Sequence, residues 1–256
     1  MQTLHDLVTS HAHLVVAHRG ASSQAPENTL AALDLALRHG AEMMEIDVQI
    51  TTDERIVVIH DATLERTTNG HGEVFRCSFA ELRQLDAGSW FAETFRGERI
   101  PLLTEVFELI RGKACIDVEI KPPAANENWR KRVSLIAEAT TTAGMTPYTL
   151  FSSFHHDSLL YLHSLQQGFH TAALLPPGDD RLPSQLLQAT GCQGFVCNLR
   201  QLTPARAADI AAHGIFTGVY TVNTTADVDL ALAGHARAIV TDAPASIINY
   251  LRSKEK

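Results

Sequence analysis

The sequence predicts an α/β protein, a (β/α)8 TIM barrel with a small inserted subdomain after an antiparallel hairpin that follows the second strand. Three observations lead to this prediction. Apolar runs with strand character alternate with helical patterns along most of the 256 residues. Eight of these runs are each followed by a helix, and eight such units close a barrel. The alternative, an open doubly wound sheet, lacks its glycine-rich phosphate fingerprint after the first run.

The first half of the chain begins with strand, helix and strand. Residues 15–17 form the first strand. A helix follows with Asn28 as its N-cap, an apolar stripe on one face, and an end at Gly40. Residues 42–50 form the second strand.

The next strand is predicted to fold back on the second one. The connection over residues 51–54 is too short for a parallel crossover, so residues 55–59 are predicted to run antiparallel. A hairpin centred near Thr52 and Asp53 would place His60 level with Asp47.

Residues 61–101 show turn chemistry without a strand-and-helix rhythm, and this predicts the inserted subdomain. A helix over residues 103–111 and a strand over residues 115–121 return to the barrel pattern. Residues 124–130, just beyond that strand, fit no predicted element.

The second half repeats the strand-and-helix unit five times at regular intervals. Thr203 and Pro204 mark one helix start and Gly214 its end, while Thr224 and Gly234 bound the next helix. The five strand runs begin near Thr149, Thr171, Phe195, Phe216 and Ala238. Alternation of this kind indicates a parallel sheet with right-handed crossovers.

Bulk properties predict one large domain spanning residues 1–256. The chain is 45% hydrophobic and 20% charged, which excludes general disorder. The net charge of −8 and the lack of a basic patch argue against a nucleic-acid partner. No apolar run approaches the ~20 residues of a membrane span. The charged N-terminus and four scattered cysteines lead us to expect a cytoplasmic protein. Oligomeric state remains open.

Four polar signatures end or interrupt the apolar runs. Charge inside a strand costs several kcal/mol unless it is paired or metal-bound, so a chain that carries it four times is expected to build one site. The signatures are His18-Arg19-Gly20, Glu45-Ile46-Asp47, His60-Asp61 and Glu119-Ile120-Lys121.

Three acids in these signatures suggest a metal site. Glu45 and Asp47 are two residues apart on a strand and share a face, and Glu119 occupies a comparable position on the third barrel strand. Oxygen ligands of this kind favour Mg²⁺ or Ca²⁺, with Mn²⁺ also possible. The alternative is an ion-pair network of the acids with Arg19 and Lys121.

His18 and His60 are the candidate proton carriers. Each directly ends a β run and precedes a charged residue, and imidazoles titrate near neutral pH. The chain contains 13 histidines, and those on predicted helices are interpreted as structural or surface residues.

These residues together resemble the glycerophosphodiester phosphodiesterase family, in particular its compact cytoplasmic bacterial members. The resemblance covers nearly the whole chain in order. Besides the four signatures, it rests on Pro26-Glu27-Asn28-Thr29, Leu64-Glu65-Arg66-Thr67-Thr68-Asn69-Gly70, Asp86-Ala87-Gly88-Ser89-Trp90, Ser152-Ser153-Phe154, Tyr220-Thr221-Val222-Asn223 and Thr241-Asp242.

The resemblance implies a divalent metal held by Glu45, Asp47 and Glu119. It also implies the reaction: a glycerophosphodiester and water give sn-glycerol 3-phosphate and an alcohol. The remaining implied roles are acid–base catalysis by His18 and His60, phosphate binding by Arg19 and Lys121, and contact with the glycerol or head group by Tyr220. Family members often carry tryptophan at the position of Tyr220.

Two alternatives remain open on the sequence. The same site could stop at a cyclic phosphate, which would make the protein a lyase. A barrel without activity could instead bind glycerophosphodiesters as a sensor, although both histidines and all three acids are present.

Overall fold

The structure is a computed structural model that describes residues 2–125 and 127–254. Its nine strands form one sheet. They are β1 (Leu14–His18), β2 (Met43–Ile50), β3 (Ile56–Val58), β4 (Cys115–Ile120), β5 (Thr149–Ser153), β6 (His170–Leu174), β7 (Gly194–Asn198), β8 (Phe216–Tyr220) and β9 (Ala238–Thr241). The spatial order is β1-β9-β8-β7-β6-β5-β4-β2-β3, and β1 also pairs with β2. Eight parallel strands therefore close a barrel, which confirms the predicted fold class.

Most of the helices cover the outside of the barrel and lie between successive strands. The helices are α1 (Leu4–Ser10), α2 (Leu30–Arg38), α3 (Phe79–Leu82), α4 (Leu103–Ile110), α5 (Trp129–Thr142), α6 (His156–Ser164), α7 (Pro183–Thr190), α8 (Pro204–His213), α9 (Thr225–Ala233) and α10 (Pro244–Lys254). Because each strand has helices on one side and the barrel interior on the other, β2 is buried along its whole length. Within the described part of the chain, none of these helices is long and apolar enough to cross a membrane.

Helix punctuation follows the predicted residues in the second half. Thr203 accepts a hydrogen bond from the Arg206 N–H at the start of α8, and Gly214 ends that helix in a left-handed conformation. In the first half one assignment is wrong. The N-cap of α2 is Thr29, whose hydroxyl accepts from the Ala32 N–H, and not Asn28.

The hairpin of β2 and β3 is antiparallel as predicted, but its register differs by one residue. Val48 pairs with Val58, and the Ile59 N–H donates to the Asp47 carbonyl at 3.0 Å. The residue level with Asp47 is therefore Ile59, and His60 lies one residue further along. The turn contains Glu54 in a left-handed conformation, φ 63°.

The segment between β3 and α4 is the predicted inserted subdomain. It contains α3 and two short 3₁₀ turns, Val74–Arg76 and Glu93–Phe95. A small apolar cluster separate from the barrel core joins this segment to β3, and it is formed by Val57 of β3 with Ile59, Leu64, Val74, Leu82, Ala87 and Ile100. The insertion thus has its own, much smaller, hydrophobic interior.

A helix that the sequence analysis did not predict, α1, packs against the amino-terminal end of the barrel. Its Leu4 and Leu7 are buried with Leu14, Val16 and Met43. A cavity of about 300 Å³ lies between this helix and the side chains of the barrel interior. The carboxyl ends of the strands lie at the opposite face.

Candidate active site

The carboxyl ends of β1, β2 and β4 bring the polar signatures together. In register, His18 pairs with Glu45 and Asp47 pairs with Glu119. A pocket of about 260 Å³ opens at this end of the barrel. It is lined by seven of the eight predicted site residues, His18, Arg19, Glu45, His60, Glu119, Lys121 and Tyr220. The eighth, Asp47, is fully buried beside them.

Three carboxylates form a compact acidic cluster at the base of this pocket. One oxygen from each of Glu45, Asp47 and Glu119 lies within 4.8 Å of the others. The Lys121 Nζ is 2.6 Å from Glu119 Oε1 and 3.1 Å from Asp47 Oδ1. The Glu45 Oε1 is buried and has no hydrogen-bond partner among the described residues. An ion-pair network exists, but it leaves one carboxylate oxygen of Glu45 without a donor among the described residues.

Burial and mutual repulsion separate the pKa values of these acids. Burial, reinforced by the charges of Asp47 and Glu119, raises the pKa of Glu45 well above its usual value. Burial also raises the pKa of Glu119, with Asp47 adding to the effect. For Asp47 burial acts in the same direction, but Lys121 and Arg19 outweigh it and hold its pKa far below the usual range.

The donor set fits a hard divalent cation. All three groups offer carboxylate oxygens, and Glu45 Oε1 is a buried acceptor that no described donor reaches. Three carboxylates with Arg19 and Lys121 carry one net negative charge. A divalent ion would convert it to one net positive charge, which would complement the single negative charge of a phosphodiester. The cluster could therefore hold such a metal.

Asn28, which the sequence analysis took for a helix cap, instead holds Asp47. Its Nδ2 donates to Asp47 Oδ2 at 2.8 Å, and its Oδ1 accepts from the Asp47 N–H at 3.2 Å. Asn28 makes this two-point contact from a left-handed backbone, φ 59°, which is uncommon outside glycine. The contact fixes the side-chain orientation of Asp47 and leaves Oδ1 facing Lys121.

Arg19 is held by its backbone and by its side chain. Its N–H donates to Glu45 Oε2 at 3.1 Å, and its Nη1 donates to Glu27 Oε1 at 2.8 Å. The Nε lies 3.2 Å from Asp47 Oδ2, close enough for charge attraction although it lacks hydrogen-bond geometry. The next residue must be glycine, because a Cβ on Gly20 would lie 2.6 Å from the Ala32 backbone.

His18 is oriented by an acid from the far end of the chain. Its Nδ1 lies 2.6 Å from Asp242 Oδ1, and since a carboxylate accepts, Nδ1 carries the proton. The Nε2 lies 4.0 Å from Glu45 Oε2 and so faces the acidic cluster. Asp242 also accepts from the Ser22 hydroxyl and the Asn223 amide. Despite partial burial, these donors lower the pKa of Asp242 to about 2.

His60 also has a carboxylate partner, but this partner is the next residue in the chain, Asp61. Its Nδ1 contacts Asp61 Oδ1, and Asp61 is bound by the guanidinium of Arg66. That hydrogen bond from Arg66 is the main reason why the pKa of Asp61 falls to about 2. Arg66 also donates to both oxygens of Glu27 at 2.7 and 2.8 Å. Burial lowers the pKa of His60, and the charges of Lys121 and Arg19 add to this against the opposing charge of Asp47.

Aromatic and aliphatic side chains also line the pocket. The Tyr220 and Phe154 rings meet edge to face with centroids 6.4 Å apart, and Leu174 and Val196 are among the aliphatic lining residues. Burial raises the pKa of Tyr220 to about 12, so its hydroxyl stays protonated.

Several residues of the site were not predicted from the sequence. Asp61 and Asp242 stand within the recognised motifs His60-Asp61 and Thr241-Asp242, but the sequence analysis gave neither a role. Asp117 gave a weaker signal: it is two residues before Glu119 on the same face of β4 and accepts from the Ser152 hydroxyl at 2.8 Å. Arg66 lies in the insertion, and no local pattern linked it to the site.

The fold and the site define a TIM-barrel protein with an acidic cluster and two carboxylate-oriented histidines at the carboxyl ends of its strands. The sequence model of the glycerophosphoryl diester phosphodiesterase family matches residues 18–246. The chain belongs to this family, and it is accordingly a phosphodiesterase.

Relatives agree with this assignment over nearly their whole length. The glycerophosphodiester phosphodiesterase of Caldanaerobacter subterraneus subsp. tengcongensis is 34% identical over 247 residues, 93% of this chain and 98% of that one. A solved phosphodiesterase from Oleispira antarctica, in complex with the product sn-glycerol-3-phosphate, is 30% identical with a TM-score of 0.87 and covers 96% and 99% of the two chains. A solved glycerophosphodiester phosphodiesterase from Agrobacterium tumefaciens is 31% identical with a TM-score of 0.78, covering 91% and 97%.

Proposed function

We propose that the protein hydrolyses glycerophosphodiesters to sn-glycerol 3-phosphate and an alcohol, using a divalent metal and two histidines as acid and base. The observation that carries this proposal is the convergence of three carboxylates and two carboxylate-partnered histidines on one pocket. The Oleispira relative, bound to sn-glycerol-3-phosphate, supports the choice of product.

Glu45, Asp47 and Glu119 would hold the metal, with Mg²⁺ or Ca²⁺ favoured and Mn²⁺ possible. When bound, the ion would supply Lewis-acid polarisation of a phosphoryl oxygen and would lower the pKa of a nearby hydroxyl group. The chelation test is direct. Treatment with EDTA should abolish activity, and added Mg²⁺, Mn²⁺ or Ca²⁺ should restore it. Full turnover after exhaustive chelation would contradict this part of the proposal.

Arg19 and Lys121 are the phosphate-binding cations. Both line the pocket beside the acidic cluster, and the attraction of Asp47 and Glu119 raises the pKa of Lys121 against the effect of burial, so it stays charged. Fixed positive charge here stabilises the negative charge that grows on the phosphoryl oxygens in the transition state.

The two histidines move protons on the two sides of phosphorus. One histidine takes the proton of the glycerol 2-hydroxyl while that oxygen bonds to phosphorus, and the other gives a proton to the departing alcohol oxygen as its P–O bond breaks. The product of this step is a cyclic phosphate. Water then adds to phosphorus and the ring P–O bond breaks, with the histidine roles reversed. Asp242 and Asp61 fix the tautomers that this exchange needs.

Histidine variants test the acid–base assignment. We expect His18→Ala and His60→Ala each to lower kcat by about 10²–10⁴-fold, and the wild-type pH profile to be bell-shaped. His213→Ala is the matched control, because His213 is exposed at the end of α8 and should leave kcat unchanged. Near-normal kcat at every pH in either variant would remove that histidine from the mechanism.

The cyclic route is tested with an analogue whose glycerol 2-hydroxyl is replaced by hydrogen. Without that hydroxyl no internal nucleophile exists, so turnover should be lost. Comparable turnover would indicate direct attack by water on the diester. Phosphorus NMR of the normal reaction should show the acyclic product at the end point, whereas accumulated cyclic phosphate would make the enzyme a lyase.

A further inference from the structure

Arg132 has an unusual location for a charged side chain. It lies on α5 with none of its side chain exposed, and it is the largest fully buried side chain in the described part of the protein. It also occupies the first turn of the helix, where the peptide dipoles disfavour a cation. Burial lowers the pKa of Arg132, and Glu127 only partly offsets that effect. Burial of a charged guanidinium in this position is energetically unfavourable. The contacts that Arg132 makes there therefore indicate what the residue does.

Those contacts tie the segment after β4 to the helix. The Arg132 Nη2 donates to the backbone carbonyl of Lys121, and its Nε lies 3.0 Å from Glu127 Oε1. The other carboxylate oxygen of Glu127 accepts from the Ala124 N–H at 2.9 Å. The segment over residues 124–130, to which the sequence gave no element, thus contains the acid that pairs with Arg132.

The backbone carbonyl to which Arg132 donates is that of Lys121, and the Lys121 side chain is a cation at the acidic cluster. The preceding carbonyl, that of Ile120, accepts from the Ser153 hydroxyl at 2.6 Å. Two successive peptide groups are therefore fixed from outside the strand just where the Lys121 side chain leaves for Glu119 and Asp47. Loss of the hydrogen bond from Arg132 to the Lys121 carbonyl would let the Lys121 backbone rotate, and the rotation would move Lys121 Nζ.

We propose that Arg132 is a positioning residue for Lys121, which it holds through the Lys121 carbonyl so that Nζ meets the substrate phosphate. The proposal rests on the phosphate-binding role of Lys121 given above. A buried ion pair is weak as a source of stability, since apolar replacements are often as stable. A buried ion pair does impose one geometry on its surroundings. Here the group that it helps to fix is the Lys121 peptide, next to the proposed position of the reacting phosphate.

A double-mutant cycle tests this proposal. The variants are Arg132→Gln, Lys121→Met and the double variant, with kcat/KM and the inhibition constant of inorganic phosphate measured for each. Alone, Arg132→Gln should lower kcat/KM about 10-fold or more and weaken phosphate inhibition in parallel. In the Lys121→Met background it should change either value less than about 2-fold, because the group it positions is gone.

Arg206 provides a matched control. On α8 it donates to three backbone carbonyls with the same chemistry, those of Asp179 at 2.7 Å, Gln201 at 2.9 Å and Arg181 at 3.3 Å, and it does not line the candidate pocket. Any effect of Arg206→Gln should be equal in both backgrounds. Should Arg132→Gln fail to fold, Arg132→Lys replaces it, since an ammonium can pair with Glu127 but cannot also span to the carbonyl.

The outcomes separate the two proposals. If Lys121→Met leaves kcat/KM and phosphate inhibition intact, the phosphate-binding role of Lys121 is wrong, and the positioning role falls with it. If Lys121→Met is impaired, and Arg132→Gln lowers kcat/KM in that background by the same factor as it does alone, Arg132 is purely structural. The proposal stands only when the Arg132 effect disappears in the Lys121→Met background.

Discussion

Asn28 shows how much of the site depends on a single side chain outside the acidic cluster. Its left-handed backbone costs about 1 kcal/mol or more, and in return its amide makes two hydrogen bonds to Asp47. Groups that orient a metal ligand commonly change metal affinity by about 10–100-fold when they are removed.

The first prediction concerns Asn28→Gly. Glycine accepts the left-handed conformation without strain, so the loss of the hydrogen bonds is partly offset and the melting temperature should change little. The affinity for Mn²⁺ or Mg²⁺, measured by titration calorimetry, should fall about 10–100-fold.

Glu54→Gly is the matched control for Asn28→Gly. Glu54 is also left-handed, φ 63°, but lies in the hairpin turn. Its substitution should not alter metal affinity. Unchanged affinity in Asn28→Gly would show that Asp47 needs no such support.

The burial of Asp117 predicts a pH-dependent stability for the protein without metal. Burial raises the pKa of Asp117 to about 8, with Glu119 and Asp47 adding to it against the hydrogen bond from Ser152. An acid whose pKa is raised on folding contributes stability that is fully present below its unfolded value near 4. That stability is lost as pH rises through 8.

The second prediction follows from this loss of stability with rising pH. In EDTA, the melting temperature should fall by at least ~5 °C between pH 5 and pH 9, and Asp117→Asn should reduce the fall, because the amide does not titrate. Thermal melts across that pH range make the measurement. Equal slopes for the two proteins would mean that Asp117 is not the group responsible.

At the scale of elements, the sequence predicted local structure well where local chemistry determines it. Thr203, Pro204 and Gly214 bound α8 because an N-cap, a first-turn proline and a left-handed end act within a few residues. Asn28 and Thr29 show the limit of such rules. Both residue types suit an N-cap, and only the distant Asp47 decides that Asn28 turns away from the helix.

Register and long-range partners depended on information that is not local. The hairpin was predicted, but its register depends on the turn conformation around Glu54, and this moved His60 by one residue. The contact of His18 with Asp242 joins residues 224 apart, and it exists only because β1 pairs with β9. The same holds for Arg132, whose burial follows from packing that no spacing rule contains.

The insertion is tied to the barrel rim by Arg66, and this leads to a third prediction. Arg66 binds Asp61, the partner of His60, and Glu27, the partner of Arg19. We expect Arg66→Gln to lower kcat about 10-fold or more, because Asp61 no longer holds His60 in one orientation, while the melting temperature changes little.

The comparison for Arg66→Gln is Arg76→Gln. Arg76 lies in the same insertion and its ion pair with Glu73 is exposed, so kcat should stay at the wild-type value. Steady-state kinetics and thermal melts of the two variants decide the matter. A normal kcat in Arg66→Gln would mean that the insertion does not act on His60 through this arginine.

At the scale of the whole molecule, closure of the barrel is what assembles the site. Its acids and histidines come from the ends of the first, second, fourth and last strands and from the insertion, and the ring order places β9, β1, β2 and β4 side by side. A partly open sheet would keep the acidic cluster of β2 and β4 but would separate His18 from Asp242. The acidic cluster and the contact of His18 with Asp242 therefore depend on different strand pairings of this fold.

The separate apolar cluster of the insertion also has a consequence for motion on slow timescales. Seven residues make up that cluster, against the far larger barrel core, so the insertion should open as a unit at a lower free energy than the barrel. Amide hydrogens of Leu64, Val74 and Ala87, which bond within the insertion, should exchange with deuterium together and before those of β2 and β4. Each such opening would release Arg66 from Asp61 and Glu27, so the enzyme would carry a small, measurable population in which the barrel is intact and the carboxylate partner of His60 is no longer held.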